Sequence, residues 1–279
     1  MKHPICLFVS QPYVVKMAIK HIDNDTCLEA LSALGNAVII GSSGGIGQAL
    51  VRALLTKARF KQVFCLNRAG QTPSPSPQTG PTQTELTGLA IDLTKEDSIG
   101  YAAQQVALQG PLSLVLVATG LLQDDTQSPE KTMRHLSSDA LMRAFQINAV
   151  GPALVAKHFL PLMSREGRSV FAALSARVGS ISDNRSGGWY SYRASKAALN
   201  MLIQTLALEH ARKFPLGVCV GIHPGTVDTN LSKPFQRGVP NERLFSPEVS
   251  AAHILNLVQD LTTADSGRLF AWDGTRIAP

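Results

Sequence analysis

The chain has 279 residues, 44% of them hydrophobic, and a formal net charge of +6 with a pI near 9.3. Its positive charges are scattered, in pairs such as Arg212-Lys213 at most, which argues against a nucleic-acid surface. Cys6, Cys27, Cys65 and Cys219 form no C-x-x-C pair, no histidines cluster with them, and the longest apolar run near the N-terminus covers only residues 5–9. This argues against a metal site, a disulfide framework and a membrane span, and fits a reducing, cytoplasmic compartment.

Taken in chain order, residues 1–35 read as a loosely packed tail. An extra ordered element, a targeting segment or a start upstream of Met17 are the other readings, and Asp23 and Asp25 speak against a transit peptide. From residue 36 onward, apolar runs bounded by turn residues predict strands over 37–40, 62–66, 87–91, 112–118, 169–174, 218–222 and 268–272. Most of these runs lack alternation, as expected of parallel strands covered on both faces. Helical patterns predict helices over 46–59, 95–108, 138–164, 190–213 and 247–262. The expectation is one α/β domain over 36–279, a doubly wound parallel sheet of seven strands, with ligands at the strands' carboxyl ends. Residues 71–84, QTPSPSPQTGPTQT, cannot build a core and are expected to form a long flexible surface loop.

The first strand runs into Gly41-Ser42-Ser43-Gly44-Gly45-Ile46-Gly47, a G-x-x-x-G-x-G turn that opens a helix. Glycines there let the backbone approach a pyrophosphate, and the helix start offers unpaired N–H groups to it. The turn predicts a dinucleotide site. The second strand ends at Asn67-Arg68 with no acidic residue to receive ribose hydroxyls. Arg68 is instead the candidate for a 2′-phosphate, which points to NADP(H); a solvated surface arginine is the alternative.

Tyr192 and Lys196 stand four residues apart within a helical pattern and so share a face. A phenol titrates near 10, and an adjacent ammonium is expected to lower that value, making an acid/base coupled to a dinucleotide. Tyr190 is six positions from Lys196 and lies off that face.

The glycine turn, Asn148, Tyr192/Lys196 and Pro224-Gly225 follow the order seen in short-chain dehydrogenases/reductases, which the chain resembles over residues 36–279. The stretches SARVGSISDNRSGGWYSYRASKAALNM and HPGTVDTNLSKPFQ are similar to the C-factor-like subgroup of that family. The resemblance implies an NADP(H)-dependent oxidoreductase acting on a small carbonyl or alcohol substrate. It implies that Asp92 and Leu93 contact adenine and that Gly120 ends the fourth strand. It further implies that Asn148 supports a proton relay and that Pro224, Gly225, Val227 and Thr229 hold the carboxamide. It also implies a homo-dimer or homo-tetramer, for which Ala194, Ala197, Ala198 and Met201 are candidate contacts; burial within the subunit is the alternative.

The chain departs from the family pattern twice. Val117-Ala118-Thr119-Gly120 replaces the usual Asn-Asn-Ala-Gly, and Ala176 stands three residues before Gly179, where the family's carbonyl-binding serine is expected. Ser175 is the candidate for that role. In a regular strand its hydroxyl points to the other face, and a bulge or turn would restore it; Ser180 and Ser182 are the fallbacks. The competing function is a non-catalytic dinucleotide-binding signalling or interaction protein on the same scaffold. The loop over 231–245 is expected to cover the substrate pocket, with Phe235, Val239, Leu244 and Phe245 as apolar lining or packing anchors.

Overall fold

The computed structural model describes residues 35–57, 60–73, 84–124 and 128–279. The expectations for the tail before residue 35 and for most of the 71–84 loop lie outside the described residues. The principal strands are β1 (Asn36–Ile40), β2 (Gln62–Asn67), β3 (Glu85–Ala90), β4 (Leu112–Val117), β5 (Ser169–Leu174) and β6 (Gly217–His223). Short strands follow: β7 (Thr226–Val227), β8 (Leu244–Phe245), β9 (Leu269–Ala271) and β10 (Arg276–Ile277). The principal helices are α1 (Gly45–Lys57), α2 (Glu96–Ala107), α3 (Ser138–Phe145), α4 (Gly151–Phe159), α5 (Tyr190–His210) and α6 (Pro247–Asp260).

The main sheet has the order β10-β9-β6-β5-β4-β1-β2-β3. All seven expected strands are in it and all pair in parallel; the eighth, β10, folds back antiparallel on β9. Arg276-Ile277 is too short a run to signal a strand by periodicity, so the expected count was one low. Strands β7 and β8 pair separately in the loop after β6.

Alternate residues of each central strand feed opposite cores. Ala37 and Ile39 of β1 join Leu50, Leu54, Ile254 and Val258 under α1 and α6. Val38 and Ile40 join Ile99, Val155, Phe159 and Ile203 under α2, α4 and α5. Burial on both faces explains why these strands read as unbroken apolar runs. Strand β3, at the edge, is only half-buried. From β1 the chain winds first to β2 and β3, then returns to β4 on the other side. The carboxyl ends of β1 and β4 therefore flank a crevice at the switch point.

The single helix expected over 138–164 is instead α3 and α4 joined by a π turn, Gln146–Val150. Pro152 has no N–H for the carbonyl four residues back, that of Asn148, and the ladder widens so that Gly151 N–H donates to the Gln146 carbonyl. Gly151 also meets Leu93 closely, since a Cβ there would lie 2.9 Å from the leucine's Cβ. Of the candidate contact residues on α5, Ala194 and Met201 are exposed and Ala197 and Ala198 half-buried.

Candidate active site

At the end of β1, Gly41 turns the chain with a φ of 83°, and its N–H donates to the Leu66 carbonyl of β2. A Cβ on Gly47 would lie 2.1 Å from the Gly41 carbonyl oxygen, so only glycine lets α1 start this close to the strand. Ser43, Gly44 and Gly45 are exposed, Ile46 is half-buried against the core, and the first turn of α1 carries no acidic residue. The result is a helix start open to an anion. Ser42 is fully buried; its hydroxyl accepts from Asn67 Nδ2 at 2.8 Å.

Asn67 is occupied. It also donates to the Gln71 carbonyl, and its Oδ1 receives the N–H groups of Ala69 and Gln71. Its side chain builds the turn after β2. Arg68, next to it, is exposed and close enough to help hold the Asp92 carboxyl down. Hydrogen bonds from the Thr94 N–H and hydroxyl are the larger cause of that lowered pKa. The Leu93 side chain is in the core.

On the other side of the crevice, Gly120 faces three residues: a Cβ there would lie 3.7 Å from Lys196 Nζ, 3.8 Å from Asn148 Oδ1 and 3.7 Å from Leu231 Cδ1. Asn148, fully buried in the π turn, grips the Leu121 backbone from both ends, Oδ1 accepting from its N–H and Nδ2 donating to its carbonyl, each at 2.8 Å. The same Nδ2 donates to Ser195 Oγ at 3.0 Å, and Ser195 donates to the Tyr192 carbonyl at 2.9 Å. Lys196 Nζ donates to the Leu174 carbonyl at 2.8 Å and lies 5.8 Å from the centre of the Tyr192 ring. Gly179 lets the turn after β5 press on this helix, because a Cβ there would meet Lys196 Cβ at 2.8 Å.

Burial governs the titration of the pair. It pushes the Tyr192 hydroxyl up to about 12 and the Lys196 ammonium down to about 7. The expectation that the lysine lowers the tyrosine's pKa is therefore not met: in the protein alone burial instead raises it. The tyrosine stands as a neutral phenol, a proton donor.

The loop after β6 closes the crevice. Gly225, at φ 81°, passes under Phe245 and Trp272, where a Cβ would lie 2.6 Å from the Phe245 ring. The Pro224 carbonyl accepts from Ser250 Oγ, and Val227 is buried, pairing with Phe245. Thr229 reaches the glycine turn: a Cβ on Gly45 would lie 2.9 Å from its methyl.

Ser175 does not join Tyr192. Its N–H extends the sheet to the Ile222 carbonyl, and its hydroxyl donates to Asn200 Oδ1 at 2.6 Å. Asn200 is eight residues beyond Tyr192, about 12 Å along the helix. No bulge re-aims the strand, so the regular register holds. Ser180 and Ser182 direct their hydroxyls to the Pro279 carbonyl instead. Ala176 is buried.

Two further residues at the site have no motif to announce them. Glu130 is buried, and its carboxylate receives both the N–H and the hydroxyl of Ser191. It caps α5 from 61 residues away, where the N-cap residue itself, Trp189, gives no side-chain bond. Trp189 packs edge-on against Tyr192, with ring centres 6.3 Å apart.

A family model described as short chain dehydrogenase matches residues 35–239. The chain belongs to the short-chain dehydrogenase family. This short-chain dehydrogenase is 30% identical over 245 residues to the 1-hydroxy-2-glutathionyl-2-methyl-3-butene dehydrogenase of Rhodococcus sp., covering 87% of this chain and 98% of that one. It is 36% identical to C-signal of Myxococcus xanthus over 138 residues, 49% of this chain and 77% of that one. The fold is shared with an NADPH-bound carbonyl reductase from chicken fatty liver, at a TM-score of 0.72 and 22% identity over 88% of this chain and 99% of that one. Carbonyl reductase Sniffer of D. melanogaster gives a TM-score of 0.72 and 23% identity over 88% of this chain and all of that one. The protein is thus of an oxidoreductase family. No described helix is long and apolar enough to cross a membrane.

Proposed function

We propose that this short-chain dehydrogenase reduces a carbonyl compound to an alcohol with NADPH. The observation that carries the reading is the pair of half-buried Tyr192 and buried Lys196 on one face of α5, meeting Asn148 and Gly120 at the carboxyl end of β4. The glycine turn, the loop from Pro224 to Thr229 and the backbone at Asp92-Leu93 would hold the dinucleotide. Arg68, exposed beside Asp92 with no acid at the end of β2, would face a 2′-phosphate. The chicken carbonyl reductase that shares this fold was solved with NADPH.

When bound, the nicotinamide supplies the hydride to the carbonyl carbon. Tyr192 gives its proton to the carbonyl oxygen as the C–O double bond is reduced to an alcohol. Lys196, anchored by the Leu174 carbonyl beside the Tyr192 ring, would stabilise the phenolate left behind when it carries its proton. Asn148 locks the Leu121 backbone and, through Ser195, the turn of α5 that carries Tyr192. With Ser175, Ser180 and Ser182 bonded elsewhere, Tyr192 is the hydroxyl left to bind the carbonyl oxygen. That same arrangement favours the second reading, a dinucleotide-binding interaction protein without turnover.

The test is NADPH consumption against a panel of aldehydes and ketones, together with NADPH and NADH affinities of the wild type and Arg68→Ala. Carbonyl-dependent consumption supports the enzyme; binding without consumption on every substrate supports the second reading. Arg68→Ala is expected to weaken NADPH roughly tenfold and leave NADH unchanged. Equal weakening of both removes Arg68 as the discriminator.

A further inference from the structure

The three residues before α5 adopt a conformation that side chains avoid. Gly187, Gly188 and Trp189 have φ values of 61°, 63° and 51°. Two are glycine, for which this is ordinary; the third carries an indole and is, among the described residues, the one non-glycine residue at positive φ. A strained residue persists only where its surroundings over-determine it, and such residues gather at functional sites.

The surroundings here are specific. Trp189 N–H donates to the Glu130 carbonyl at 2.5 Å. Arg193 Nε donates to the carbonyls of Gly187 and Gly188 at 3.2 and 3.0 Å, and its Nη1 to that of Val178 at 3.2 Å. The Glu130 carboxylate is taken up by Ser191. Both charged side chains of the turn are therefore spent on building it.

What the strain places is a ring. The indole meets the Tyr192 ring at 6.3 Å and 72°, and the Phe235 ring at 5.1 Å and 62°. Phe235 belongs to the loop whose Leu231 lies over Gly120. The indole is thus the joint between Tyr192 and the segment over Gly120, and it is half-buried. Edge-to-face arrays of this kind favour another flat ring.

We infer that Trp189 is the specificity-determining residue of this site and that it selects carbonyl compounds bearing an aromatic ring, aryl aldehydes and aryl ketones, over small aliphatic or polyhydroxylated ones. The inference rests on the carbonyl-reduction reading and has a test that survives that reading's failure. Trp189→Gly removes the ring and also relieves the backbone, so it is expected to fold; Trp189→Phe restores a ring. For benzaldehyde, kcat/KM is expected to exceed that for propanal and glyceraldehyde in the wild type. It should fall roughly tenfold in Trp189→Gly, mainly through KM, and recover in Trp189→Phe to within about threefold. NADPH affinity should stay within about threefold in both variants, and kcat/KM for propanal should fall clearly less in Trp189→Gly than that for benzaldehyde. A parallel fall for benzaldehyde and propanal, or a wild type that prefers glyceraldehyde or propanal, overturns the assignment.

If no carbonyl compound is turned over, the carbonyl-reduction reading fails and binding alone decides the inference. Acetophenone should then quench the tryptophan fluorescence of the NADP⁺ complex saturably, and this quenching should vanish in Trp189→Gly. Linear quenching, unchanged between the two proteins, contradicts it.

Discussion

The two walls of the crevice are made of different material. The wall proposed for the dinucleotide is backbone: a glycine turn, an open helix start and a loop from Pro224 to Thr229 that touches the turn through a threonine methyl. The wall around the phenol is side chains brought together across the sequence: Glu130 on Ser191, Asn148 on Ser195, Trp189 between Tyr192 and Phe235. Apart from Arg68, proposed for the 2′-phosphate, a backbone cradle is insensitive to most substitutions except at its glycines. A side-chain wall is set by single residues, so substitutions there are expected to alter turnover and selectivity while cofactor affinity holds.

Lys196 belongs to both walls, and its removal is the largest break of this division. Lys196→Met is expected to lower turnover by roughly 10²-fold or more and to weaken NADPH as well. It also has a pH signature. An ordinary lysine titrates at 10.5 and this one at about 7. Between those values the unfolded chain holds a proton that the folded protein has released, so the group makes the protein more stable as pH rises through that window. Below about pH 7 its cost to stability is at its full value. Without cofactor, Lys196→Met should melt above the wild type near neutrality, and the gap should narrow toward pH 10 in thermal scans. A gap independent of pH contradicts the uncompensated burial of the ammonium.

Glu130→Ala sharpens the comparison on one wall only. It strips the cap from α5 and leaves the Ser191 N–H and hydroxyl without their partner. The loss should be about 2 kcal/mol, or roughly 4–8 °C in Tm, with turnover down about tenfold through kcat and NADPH affinity unchanged. An equal loss of NADPH affinity shows that the two walls are not separable.

The smallest effect is expected from Ser175→Ala. Its hydroxyl serves Asn200, so stability should fall by about 1 kcal/mol while turnover stays within about twofold. A large fall in turnover places Ser175 at the carbonyl despite its bond to Asn200.

The same difference decides what could be read from sequence. Residues 41–47 announce the glycine turn because backbone closeness demands glycine at fixed spacing, and the central parallel strands announce themselves because burial on both faces demands apolar runs. Tyr192 and Lys196 are legible because both lie on one helix. Glu130 and Trp189 are not, since their meaning depends on partners in other segments and on a left-handed φ that tryptophan does not advertise. The π turn at Asn148 hides in an apolar helical pattern, with Pro152 as its one mark. Asn67, at the end of β2 beside Arg68, spends its side chain on folding the turn it sits on.

The central claim is that Tyr192 donates the proton, and Tyr192→Phe tests it most directly, with turnover and NADPH affinity measured on the same preparation. The ring and its contact with Trp189 remain and only the hydroxyl is lost. The account predicts unchanged NADPH affinity and carbonyl reduction lower by roughly 10²–10⁴-fold. Carbonyl reduction at the wild-type rate in Tyr192→Phe would contradict it.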